Sequence, residues 1–214
     1  FSVGGDLSRF AHRLGARDWG PVEAFLRRGV GAYQALQDAP YPVVAAVFGL
    51  ALGGGCELFL HCASVVAHAD LKAGLPEAKV GLIPAWGGCT QMLHRAQSRA
   101  APDAAEQVFD AILAARVSSS ALDASAMGVL RETDVIVADR DQLLTEARRR
   151  VVALAERAGV PPSPVGLRAG GRPLRDALLG RHRADPAAPY DRVIAERVAF
   201  VLAGGDAAPG ETLS

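Results

Sequence analysis

The chain has 214 residues, 50% of them hydrophobic and 21% charged, with 23 acidic and 23 basic side chains. That length suits one domain, or one domain with an extension, and the balance is that of a soluble globular protein. A formal net charge of zero excludes a nucleic-acid or membrane-surface partner held by bulk charge.

The three cysteines, Cys56, Cys62 and Cys89, lack CxxC spacing. This argues against a disulfide framework and against a zinc site, and for a reducing cytoplasm. No apolar run has the length of a membrane span. The chain opens without Met and without a signal peptide, on Phe1-Ser2-Val3-Gly4-Gly5-Asp6, which reads as a strand end entering a glycine turn. It closes on Thr212-Leu213-Ser214 after a Gly/Asp/Pro stretch. Both ends read as cut from a longer polypeptide.

Between Pro21 and Gln37, Val22, Phe25, Leu26, Val30, Tyr33 and Leu36 recur at helical spacing, and Pro40 and Pro42 end the helix. Residues 42–48 are apolar and β-branched, as in a buried parallel strand. The turn Gly53-Gly54-Gly55 leads into a short buried helix over Cys56–Cys62, then a strand over Ser64–Ala69. Lys72–Pro84 reads as irregular, and Trp86–Arg95 as helix. Pro102-Asp103 is expected to cap a helix running to Leu113. A further helix over Ser120–Met127 ends at Gly128. Val135–Ala138 is a strand candidate, and Asp141–Arg157 is an amphipathic helix bearing Arg148, Arg149 and Arg150. That basic run reads as a solvated face or a contact with another domain. Pro161, Pro162 and Pro164 mark a linker, followed by helices over Pro173–Leu179 and Tyr190–Leu202. Strands and helices alternate first and helices follow, which predicts an α/β core with a helical C-terminal region.

Three features carry chemistry. Glycines at the strand-to-helix turn let a ligand approach the backbone, where the free amides of the helix's first turn meet it; a plain tight turn fits equally well. The turn lacks both the Lys-Ser/Thr of a Walker loop and the GxGxxG spacing. Glu57 follows directly, among Leu58, Phe59 and Leu60. Burial would raise its pKa toward a proton-handling range, although a carboxylate favoured by the helix dipole reads the same. Glu77 sits in the bent apolar stretch Gly74-Leu75-Pro76-Glu77; alone it reads as a loop acid, but two such acids can divide acid and base roles. His61, His68 and His94 are too scattered for a metal site. Trp86 reads as packing or as part of an apolar pocket.

Together these segments resemble the crotonase (enoyl-CoA hydratase/isomerase) superfamily. Phe1–Leu7 resembles its F-x-A-G-x-D-L segment, residues 42–57 ending Gly-Gly-Gly-Cys-Glu its second signature, and Gly74–Gly88 its third. Their order and the 20-residue step from Glu57 to Glu77 also match. The match is strong over about residues 1–100. Pro84-Ala85-Trp86-Gly87-Gly88-Cys89, Asp123–Leu130 and the Pro-linked tail with Gly204-Gly205-Asp206 resemble a narrower group, the hydratase region of bacterial fused 3-hydroxyacyl-CoA dehydrogenases.

The resemblance implies a ClpP/crotonase-like ββα spiral core, N-terminally truncated, with residues 1–100 as core, 101–160 as its helical part and 161–214 as a Pro-linked helical extension. Strands that precede Phe1 in the family would then be missing, leaving a sheet edge open. It implies a trans-2-enoyl-CoA substrate, an oxyanion hole of the Gly5 and Gly54 amides, and Glu57 and Glu77 as catalytic carboxylates. Glu77 would deliver a proton and Glu57 orient the water, which the Ala85 amide also holds. Gly5, Asp6, Leu7, Gly54 and Ala85 would bind substrate. No metal or cofactor is implied for this region, and NAD only for a fused dehydrogenase domain. The expected partners are the acyl-CoA, a homo-oligomer and that covalently fused domain, with neither nucleic acid nor membrane, in the cytoplasm. Isomerisation, or acyl-CoA binding without turnover, are the competing expectations.

Overall fold

The computed structural model describes residues 1–99, 103–157, 166–182 and 189–213. Its chain order is α1 (Leu7–Gly15), α2 (Trp19–Gln37), β1 (Val44–Val47), β2 (Leu50–Leu52), α3 (Gly54–Leu60), β3 (Ser64–His68), β4 (Lys72–Gly74), a 3₁₀ turn (Glu77–Val80), α4 (Gly88–Ser98), α5 (Ala104–Leu113) and α6 (Ala121–Ala126). Then follow β5 (Val135–Val137), α7 (Leu143–Arg157), β6 (Leu167–Arg168), α8 (Gly171–Arg181), α9 (Pro189–Leu202) and β7 (Thr212–Leu213).

β1, β3 and β5 form a parallel sheet with β3 in the centre, Val44 opposite Ser64 and Val66 opposite Val135. Residues 64–67 of β3 are all buried, as a central parallel strand covered on both faces requires. On one face Val66 packs with Leu143 and Ala147 of α7. The other side is the main core, where Val47, Phe59, Leu60, Val65 and Phe109 are fully buried or nearly so. A second parallel pair, β2 with β4, places Leu52 opposite Gly74. Ser2 extends it through a parallel bridge to Ala51, and Val117 bridges antiparallel to Gly74.

α3 is apolar around most of its circumference, and such a helix is stable only when enclosed; six of its seven residues are buried. Its far end is tied to the rest by a buried arginine. Arg95 of α4 donates to Leu60 O and Val129 O, both at 3.0 Å, and lies 3.6 Å from Asp134 Oδ2. Asp134 in turn accepts from the Val65 and Arg131 amides. Burial pulls the Arg95 guanidinium down to about 9, with Arg131 adding to the effect. An arginine buried beside a carboxylate and two carbonyls pins α4 to α3 and to the sheet at once.

The described part of the tail belongs to the same core. Leu178 of α8 and Ile194, Ala195, Val198, Ala199 and Leu202 of α9 are buried within it. The proline run 161–164 lies outside the described residues. Among the described residues no helix is long and apolar enough to cross a membrane.

Several elements depart from the sequence reading. Residues 7–15 form α1, which that reading leaves unassigned. Its helix rests on Asp6, whose side chain accepts from the Ser8 and Arg9 amides, and not on burial, since none of its residues is buried. Lys72–Gly74 is a strand where irregular chain is expected, because pairing with β2 overrides a Gly/Pro-rich neighbourhood. Asp103 makes no capping bond to a backbone amide; its carboxylate accepts from the Gln107 side chain. Arg150 is not simply solvated: it donates to Ser64 Oγ and Thr133 O, while Arg148 and Arg149 are exposed.

Candidate active site

The site forms where the Phe1–Leu7 segment crosses the turn between β2 and α3. Gly53 turns the chain at φ 53°, ψ −126°, a conformation open to glycine. Its amide donates to Gly74 O at 3.0 Å, which ties the turn to β4. Ser2 exchanges backbone hydrogen bonds with Leu50 O and the Leu52 amide, at 3.0 and 2.9 Å. This lays residues 2–5 directly against the turn. The approach is close: a Cβ on Gly4 would lie 2.9 Å from the Gly54 nitrogen, and one on Gly55 would collide with the Ser2 carbonyl. Gly5 and Gly54 thus come to the same place, and neither amide donates to an acceptor among the described residues.

Both residues line a cleft of about 300 Å³. Gly5, Asp6, Leu7, Gly54, Glu57, Glu77 and Ala85 all line it, so the structure brings the residues expected to bind or act on substrate to one cavity. Asp6 stands at this cavity with its carboxylate engaged in capping α1, and the Ser8 hydroxyl and the Arg9 amide hold its pKa below the usual carboxylate range. The Ala85 amide donates to no acceptor among the described residues. The remaining lining is largely apolar, including Val3, Phe10, Phe25, Ile83 and Trp86.

The two carboxylates occupy different surroundings. Glu57 is 2% exposed. Its Oε1 accepts from the Trp86 amide at 2.8 Å and from the Gly88 amide at 2.9 Å. Gly88 opens α4, so its amide has no partner within that helix, and a carboxylate there meets the positive end of the helix dipole. Burial raises the Glu57 pKa, and these two amides oppose the rise by favouring the ionised form. Glu77 draws only on its own backbone amide. Its Oε2 is buried without a hydrogen-bond partner among the described residues. Burial, then the charge of Glu57, pushes its carboxyl up to about 7. A carboxyl raised to about 7 is partly protonated at neutral pH, so Glu77 can carry a proton within this cleft.

The sequence reading missed the donors that hold Glu57. Backbone amides leave no side-chain signal, and only the Gly87-Gly88 pair before a helix hints at them. It also missed the wall supplied by α2. Tyr33 donates from Oη to Gly54 O at 2.8 Å, and burial, with the Glu57 charge adding, raises its phenol to about 12, keeping it a donor. Trp86 stacks edge-on against both Phe25 and Tyr33, with 5.2 Å between ring centroids in each case, so it both lines the cleft and packs. His61, buried, bonds Glu57 O through Nδ1 at 2.8 Å. Among the described residues no three His, Cys, Asp or Glu side chains gather to hold a metal ion.

Residues 1–160 match the family described as "Enoyl-CoA hydratase/isomerase". A Bacillus subtilis protein named "Probable 3-hydroxyacyl-CoA dehydrogenase" is 33% identical over 211 residues, which are 96% of this chain and 27% of that protein. A Rickettsia felis protein, named as a fatty acid oxidation complex trifunctional enzyme, is 38% identical over 97 residues, 45% of this chain and 14% of its own. The chain thus spans about a quarter or less of these relatives' lengths. Among solved structures, an enoyl-CoA hydratase from Polaromonas sp. JS666 is similar at TM-score 0.59 and 25% identity, covering 94% of this chain and 68% of that one. Pseudomonas aeruginosa DspI is similar at TM-score 0.58 and 28% identity, covering 74% and 58%. With the fold, the two signatures around Glu57 and Glu77 and the matched residues in agreement, the chain belongs to the enoyl-CoA hydratase/isomerase family, with a crotonase-type fold.

Proposed function

We propose that this chain hydrates trans-2-enoyl-CoA thioesters, adding water syn across C2 and C3 to give 3-hydroxyacyl-CoA. The observation that carries the reading is one cleft lined by two carboxylates in different surroundings, Glu57 bonded by two amides and Glu77 with an unpartnered oxygen, and by Gly5 and Gly54, whose amides are unengaged among the described residues. The thioester oxygen lies between the Gly5 and Gly54 amides, where negative charge develops as the enolate forms. Glu57, whose ionised form the Trp86 and Gly88 amides favour, orients the water and takes its proton as the oxygen bonds to C3. Glu77, which holds a proton near neutral pH, delivers one to C2. The Ala85 amide is a further donor toward that water.

The product is the kind of thioester a 3-hydroxyacyl-CoA dehydrogenase oxidises. The names of the Bacillus and Rickettsia relatives support placing this chain in a longer β-oxidation polypeptide with that second activity. NAD belongs to that other region, and the hydration itself uses only this chain's residues, water and the thioester.

The test is crotonyl-CoA hydration by the chain and by Glu57→Gln and Glu77→Gln. Each variant should lose about 10²- to 10⁴-fold in kcat, with little change in thioester affinity. Hydration that survives Glu57→Gln sinks the two-carboxylate reading. Loss of hydration with 3-enoyl to 2-enoyl isomerisation intact would make this an isomerase working through Glu77. Binding without any turnover would make it an acyl-CoA binding module.

A further inference from the structure

Trp86 is wedged into a notch of α2. Phe25, Gly29 and Tyr33 follow one another at four-residue spacing on one face of that helix. The pyrrole edge of the indole lies over Gly29, where a Cβ would collide with Nε1, Cε2 and Cδ1. Phe25 and Tyr33 close on the ring from either side. The six-membered ring meanwhile reaches both proposed oxyanion glycines. A Cβ at Gly54 would be 2.5 Å from Cζ3, and one at Gly5 would be 3.8 Å from Cη2. The indole nitrogen is buried with no acceptor among the described residues. The side chain is therefore held by shape and not by a hydrogen bond.

This places a large rigid ring beside the point where the thioester carbonyl would sit, so the first acyl carbons must pass along it. Trp86 lines the cleft together with Phe25 and Leu26, so the space left for an acyl tail depends on how far its ring protrudes.

We propose that Trp86 is the specificity-determining residue of the acyl subsite, restricting it to short-chain 2-enoyl thioesters, and that Gly29 is the notch that sets how far the ring protrudes. This rests on the hydratase reading above.

The test compares kcat/KM for C4 and C10 2-enoyl-CoA, and binding of the matching saturated acyl-CoAs, in the wild-type chain and three variants. The wild type should favour C4. Trp86→Ala should move the ratio toward C10 by at least about tenfold, the scale on which pocket shape discriminates added methylenes. Trp86→Phe, which keeps an aromatic wedge between Phe25 and Tyr33, should move it part of the way. Gly29→Ala should push the ring into the cleft and move the ratio the other way, although alanine is the better helix former. A wild type that prefers C10, or ratios that stay fixed while all chain lengths fall together, would overturn the proposal and reduce Trp86 to packing. If the wild type binds thioesters without hydrating them, the hydratase reading fails while the binding ratios still decide the proposal. If it neither binds nor turns over, both fail.

Discussion

Glu57 and Glu77 have the same side chain and share one cleft, and their surroundings drive them apart. Two amides on Oε1 oppose the rise that burial causes at Glu57, whereas Glu77 has a buried oxygen with no partner among the described residues. The consequence for stability has a definite sign. Glu77 is raised from 4.5 to about 7, so the folded chain binds a proton that the unfolded chain has released. Stability from this group is full in acid and is lost as pH rises from about 4.5 through about 7. Glu77→Gln stays neutral throughout and escapes the loss. Thermal melts should show the variant gaining on the wild type by about 2 kcal/mol between pH 5 and pH 8, once partial exposure is discounted. An equal difference at both pH values would contradict the unpartnered Glu77 described here. In the same variable, kcat/KM of the wild type for hydration should decline above pH about 7, as the proposed donor loses its proton.

At the scale of elements, the cleft depends on chain segments meeting without side chains between them. The Phe1–Gly5 segment reaches the α3 turn because Gly4 and Gly55 leave its path clear. Gly55 lies inside a helix, where alanine is intrinsically better by about 0.5–1 kcal/mol. Gly55→Ala should nonetheless destabilise by about 2–3 kcal/mol, since its Cβ meets the Ser2 carbonyl and backbone must move. The same shift would displace the Gly5 amide, so hydration should fall further than stability alone explains. Chemical denaturation and crotonyl-CoA turnover on one preparation would separate the two; a variant as stable as wild type would disprove the close approach. α2 is the element least apparent in function from its sequence. Its periodicity marks a helix, but only Val22 is buried, and its contribution is the Phe25–Gly29–Tyr33 face turned to the site.

For the molecule as a whole, the described tail is structural and not appended. α8 and α9 bury Leu178, Ile194, Val198 and Leu202 in the core that also holds Phe109 of α5 and Leu93 of α4. Each such side chain left in water costs roughly 1.5–3 kcal/mol, against a total stability of only about 5–15 kcal/mol for a domain. A chain ended after Arg157 should therefore lose cooperative melting and bind a hydrophobic dye, while the full chain melts in one transition. A shortened chain that melts as sharply as the full one would show the tail to be separable. The Arg95–Asp134 contact makes the same point within the core, joining α4 to the β3 and β5 region across nearly 40 residues of chain.

Local pattern by itself determined much of this protein. Apolar runs located β1, α3 and β3, the helical spacing of Val22, Phe25, Leu26 and Tyr33 located α2, and the signatures around Gly54, Glu57 and Glu77 pointed to the family. These signals are short-range, because a side chain's polarity and a glycine's freedom act where they stand. Only the tertiary structure decided how the two carboxylates differ, since that rests on the Trp86 and Gly88 amides, which lie about 30 residues from Glu57 and carry no side-chain mark. It alone made Lys72–Gly74 a strand, by setting Leu52 opposite Gly74. It alone set the Trp86 ring into Gly29. A pKa, a strand pairing and a notch are properties of what surrounds a residue, and the fold supplies those surroundings from distant parts of the chain.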